Sequence, residues 1–97
     1  MPTKTRGLVA RYHAQQAINS VRRRDFDDAL KSVNRALEWS PQSVPFLILR
    51  AHVQTGRKDF AAVLADVEKA LEVKPNDTDA QHLRSLALHY LQRHREA

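Results

Sequence analysis

The sequence predicts an all-α fold of about five antiparallel helices, built from a helix–turn–helix unit used more than once. Three observations carry that expectation. Residues 10–43 laid over 44–77 match without a gap at Ala17/Ala51, Arg23/Arg57, Asp25/Asp59, Phe26/Phe60, Leu30/Leu64, Val33/Val67, Ala36/Ala70, Leu37/Leu71, Glu38/Glu72 and Pro41/Pro75. Self-similarity at a fixed period marks a stacked repeat, whose units cannot each bury an apolar face alone. Apolar residues recur at helical rather than alternating spacing. With only two glycines and four prolines in 97 residues, the chain is poor in loop formers.

The first helix is expected from about Gly7 to Arg23, with Leu8, Tyr12, Ala14, Ala17, Ile18 and Val21 on one broad side. The second opens at Asp25, a side chain that can cap free amides, and Asp27 and Asp28 suit the positive end of its dipole. Phe26, Ala29, Leu30, Val33, Ala36 and Leu37 face inward, and Pro41 ends it. The third begins near Ser43, with Pro45 in the first turn where a missing N–H costs nothing. Gly56 stands where a helix would stop. The fourth repeats the second from an Asp59 cap through Phe60, Val63, Leu64, Val67, Ala70 and Leu71, stopping before Pro75. The fifth starts at Asp77, one period after Ser43, and runs to about His94. Residues 10–43 and 44–77 are therefore two full units, 78–97 a final helix, and 1–9 the lead into the first helix.

Composition bounds the function. There is no cysteine, which excludes disulfides and thiolate metal sites. No apolar run reaches the roughly 18–20 residues that a membrane span needs. The start carries basic residues without the apolar core of a leader, so the expected location is cytoplasmic. Net charge is +5, and eleven of the sixteen basic residues are arginine, a balance suited to acidic partners.

At these residues the chain resembles the tetratricopeptide repeat family, whose 34-residue units pair an A helix with a B helix. The resemblance covers about 10–94 and rests on several fixed places. Small residues stand on the A helices at Ala17, Ala51 and Ser85. The B helices carry Ala29 or Val63, Val33 or Val67, Ala36 or Ala70, and Pro41 or Pro75. The family's tryptophan-type slot holds His13, Leu47 and Gln81, and its leucine slot holds Gln16, Arg50 and Arg84; the arginines read as variation. The resemblance implies a right-handed superhelix whose A helices line a concave groove for an extended peptide or helix of a partner protein. That groove would present Arg11, Gln15, Ile18, Ile48, Leu49, His52, His82, Leu83, Leu86 and His89. One branch of the family clamps acidic chaperone tails. The corresponding positions here, Ala14, Ile18, Leu49, Asp79 and Leu83, cannot donate to a carboxylate, which argues against that role.

Two further surfaces stand out. Arg22, Arg23, Arg24, Arg57, Lys58, Arg93 and Arg95 fall at the ends of successive A helices and would align as a basic edge. Such an edge suits an acidic protein surface or RNA, although the same residues also complement the helix dipoles with no ligand at all. Nucleic acid is the weaker alternative, because no aromatic platform is interleaved with the charges. Leu88 and Leu91 spread over more than one face of the last helix, which makes a homodimer through that helix a further expectation. The spacing of His82 and His89 lacks the tight pairing and orienting carboxylates of a metal site. No cofactor or metal is expected, and no serine–histidine–acid or cysteine set suggests catalysis.

Overall fold

The computed structural model describes residues 2–96, and the side chains of residues 5–93. Five helices follow one another: α1 (Pro2–Arg22), α2 (Phe26–Trp39), α3 (Val44–Gly56), α4 (Phe60–Val73) and α5 (Thr78–Glu96). Each sequence-adjacent pair packs together. In addition α1 approaches α3 and α3 approaches α5, whereas α2 and α4 do not reach each other. The A-type helices α1, α3 and α5 thus form one layer and the B-type helices α2 and α4 the other, with the tighter spacing on the A side. No helix among the described residues is long and apolar enough to cross a membrane.

Side-chain caps set four of the five helix starts. Asp25 Oδ1 accepts from the Asp28 N–H at 3.1 Å, and Asp59 Oδ1 from the Ala62 N–H at 3.2 Å. One helix later in each unit, Ser43 Oγ accepts from the Phe46 N–H at 3.4 Å and Asp77 Oδ1 from the Ala80 N–H at 2.9 Å. Each cap satisfies an amide that the first helical turn would leave orphaned. The equivalent caps lie one 34-residue period apart, as the sequence leads one to expect.

The A-to-B turns reuse one backbone device. Arg24 and Lys58 both take the left-handed conformation, with φ of 58° and 62°. Around Arg24, the Asp25 N–H bonds to the Ser20 carbonyl at 2.9 Å and the Arg24 N–H to the Val21 carbonyl at 2.9 Å. Around Lys58, the Asp59 N–H bonds to Gln54 O at 2.9 Å and the Lys58 N–H to Thr55 O at 3.0 Å. These are paired Schellman closures, each satisfying two carbonyls at a helix end. A side chain in this region costs energy that glycine avoids, so the closure holds the turn against that cost. Asp25 and Asp59 each belong to two helices at once, closing one and capping the next.

Small residues fix the close approach of the helices. Ala17, Ala29, Ala36, Ala51 and Ala70 are fully buried, and Val33, Leu47, Val53, Val63 and Val67 fill the space between them. The third helix ends at Gly56, as the sequence leads one to expect, but the glycine is not the residue that turns the chain. Its φ is not positive, and the left-handed residue is Lys58, two positions on. A Cβ at Gly56 would lie 2.5 Å from the Phe26 ring. The glycine gives that ring a seat.

The first helix starts earlier than expected, at Pro2 rather than near Gly7. Proline is well placed at a first helical position. Leu8 and Tyr12, assigned by sequence to the packed side, are exposed. The buried stripe of α1 is Ala10, Ala14 and Ala17, and at 100° per residue Leu8 and Tyr12 lie about half a turn away from it. At the other end α5 continues to Glu96, two residues past the expected His94, whose side chain lies outside those described.

Candidate interaction surface

The A-helix layer presents the residues assigned to the groove. Ile18 on α1, Leu49 on α3 and Leu86 on α5 are half-buried, and they are what stays accessible of the apolar strip expected on the A-type helices. Ile48 and Leu83 belong to the core instead, at 8% and 3% exposure. They belong to one cluster with core residues of all the other helices, so the strip is narrower than the sequence suggests. Polar residues flank it on all three helices: Arg11 and Gln15 on α1, His52 on α3, and His82 and His89 on α5, all exposed. Where α3 and α5 begin, an open hollow of about 420 Å³ is lined by Val44, Pro45, Ile48, Lys74, Asp77 and Asp79. Ile48 contributes to the floor of that hollow. Its rim carries both signs of charge, with Lys74 Nζ 3.7 Å from Asp77 Oδ2.

The basic edge is already partly engaged. Arg57 Nε donates to Asp27 Oδ1 at 2.8 Å and Arg57 Nη1 to Gln54 Oε1 at 2.9 Å. Arg23 Nη2 donates to Ser20 Oγ at 3.2 Å and lies 3.6 Å from Asp28 Oδ2, while Ser20 Oγ donates to the same carboxylate oxygen at 2.7 Å. Two acids in the first turn of α2 therefore neutralise one arginine from each A-to-B turn. Arg22, Arg24, Lys58 and Arg93, exposed like Arg23 and Arg57, have no side-chain partner among the described residues. The Arg95 side chain lies outside those described. A run of like charges in sequence becomes, in space, a mixed edge.

The strongest polar feature centres on Arg50, at the slot where the resemblance expects leucine. Arg50 Nε donates to Asp66 Oδ2 at 2.9 Å and Arg50 Nη2 to Asp66 Oδ1 at 2.7 Å. The fork is bidentate, the geometry in which arginine binds a carboxylate most strongly. Arg50 Nη1 also donates to Asn34 Oδ1 at 3.0 Å, so one side chain ties α2, α3 and α4 together. The signal available in sequence was a charged residue in an apolar slot, with a carboxylate one helix away.

On the last helix, Leu88 is 39% exposed and Leu91 is half-buried. Tyr90 stacks on Phe60 of α4. Among the described residues no group of three histidine, cysteine, aspartate or glutamate side chains could hold a metal ion. Comparison with known proteins finds no family model that matches the chain and no curated relative with significant similarity.

Proposed function

We propose that the chain is a tetratricopeptide-type, non-enzymatic interaction scaffold that takes an extended peptide or a helix of a partner protein on its A-helix layer. The observation that carries this reading is the half-buried strip of Ile18, Leu49 and Leu86, one residue from each A-type helix, between exposed polar flanks. An accessible apolar row with a polar border suits an interaction better than scattered single exposures do. Supporting the family reading, the caps, left-handed turn residues and small-residue contacts recur one 34-residue period apart.

A basic adaptor for acidic surfaces or RNA is the rival class. The pairing of Arg23 with Asp28 and Arg57 with Asp27 weighs against it, since those guanidinium groups already have carboxylates. Selection from a displayed peptide library against the full chain tests the proposal. The expected binders weaken about tenfold or more on Leu49→Glu and change little with salt, as apolar contacts should. Binders that ignore Leu49→Glu, respond to loss of Arg22, Arg24 and Lys58, and weaken steeply with salt would favour the rival instead.

A further inference from the structure

We propose that the outer face of α5 is a second docking site, for an acidic amphipathic helix of a partner protein that sits on α5 as α4 sits on α3. It lies apart from the A-layer strip. On α3, Leu47, Arg50, Ala51 and Gln54 share one face, which is buried or half-buried and joined to α4 through Arg50 and Asp66. One period later α5 carries Gln81, Arg84, Ser85 and Leu88 at the same positions, and all four are exposed. Among the described residues the same seat thus occurs twice, once covered by α4 and once uncovered.

The filled copy states what the open one would take. Arg50 finds a bidentate carboxylate on α4, whereas among the described residues Arg84 makes no hydrogen bond or ion pair. Ser85 keeps the place of Ala51 small enough for close helix approach. The rim is also preformed. A hollow of about 400 Å³ between Leu71, Pro75, Gln81, Arg84 and Ser85 repeats one of about 500 Å³ that includes Leu37, Pro41 and Arg50. Asp66 meets Arg50 from α4, whose other buried residues are Val63, Val67 and Ala70. A suitable occupant therefore carries an acid, with small or β-branched apolar residues three before, one after and four after it. A second copy paired through α5 fits less well. The only acids of α5 are Asp79 and Glu96 at its two ends, so a two-fold pairing would meet Arg84 with no carboxylate nearby.

The probe is a labelled synthetic peptide of residues 59–75, the chain's own α4 sequence, titrated into the 97-residue chain. Binding is expected to weaken about tenfold with Arg84→Asp in the protein, or with Asp66→Arg in the peptide, as for a close charge pair. Combining the two swaps should restore affinity to within about threefold of the original, the signature of direct coupling. Ser85→Leu, at an exposed position that the fold tolerates, should block binding independently of charge. Leu49→Glu should leave it unchanged, which separates this site from the strip. Three results would overturn the proposal. They are binding indifferent to Arg84→Asp (the peptide displacing α4 on Arg50), no binding at millimolar peptide, and peptide-independent dimerisation lost on Leu88→Gln.

Discussion

Phe60 lies flat on Tyr90, ring centroids 4.4 Å apart and planes within 5°, in the place where one repeat earlier Phe26 rests against Gly56. Gly56 and Tyr90 are equivalent positions, 34 residues apart, at the ends of successive A-type helices. The same aromatic at the start of each B-type helix therefore reaches forward to the next unit. At one boundary it meets bare backbone, at the other a second ring.

This contact yields the first prediction. Gly56→Ala puts a methyl into the Phe26 ring, which must leave its seat. Alanine's helix propensity gains about 1 kcal/mol over glycine, but overpacking costs about 1–3 kcal/mol. A net loss of stability is expected in urea titrations. In the background of Phe26→Ala the same substitution should become stabilising, and if it is stabilising in both backgrounds the seat is not what constrains Gly56.

The Arg50–Asp66 fork gives the second. Asp66 is 6% exposed and the Arg50 side chain about a quarter exposed. Removing one partner of a fully buried pair costs about 3–5 kcal/mol, and the partial exposure of Arg50 reduces this to about 2–3 kcal/mol for Asp66→Ala. By contrast, Asp27→Ala breaks an ion pair whose acid is 83% exposed, and a shift under about 0.5 kcal/mol is expected. Equal losses in chemical denaturation would contradict the ranking.

Left-handed turn residues give the third. Lys58→Gly and Arg24→Gly remove a Cβ from a region that costs about 1–2 kcal/mol for ordinary residues. They also add unfolded-state freedom worth about 0.5–1 kcal/mol. Each variant should therefore gain up to about 1 kcal/mol, read as a raised Tm. A lowered Tm would mean that the side chains themselves hold the turns.

The fourth returns to the repeat core. Ala36 and Ala70 are both fully buried at equivalent places near the ends of α2 and α4. Enlarging either to leucine should cost about 1–3 kcal/mol by overpacking. Unchanged thermal melts in both variants would show that these helices do not pack closely there.

The helices, their caps and the closely packed alanines were legible because each rests on residues near in sequence: a capping side chain, a helical period, a proline. Three features were not. Arg24 and Lys58 gave no sign of a left-handed turn, since glycine is the usual signal and hydrogen bonding replaced it here. Arg50 and Asp66 are sixteen residues apart, beyond the reach of any within-helix spacing rule. The depth of Ile48 and Leu83 depends on how all the helices meet in the core, which one helix's pattern cannot state. The basic edge misled for a related reason, because its neutralising acids sit on the following helix.

The polar ties across repeat boundaries are unequally shared. Arg50 to Asn34 and Arg57 to Asp27 both bind α3 back to α2. Between α4 and α5, among the described residues, no side-chain hydrogen bond or ion pair joins the two helices; Phe60 on Tyr90 is the specific contact. Sub-global opening follows the least supported seam. Amide protons of α5 should exchange with solvent sooner than those of α3, giving the array a polarity of unfolding. The centre holds while α5 breathes.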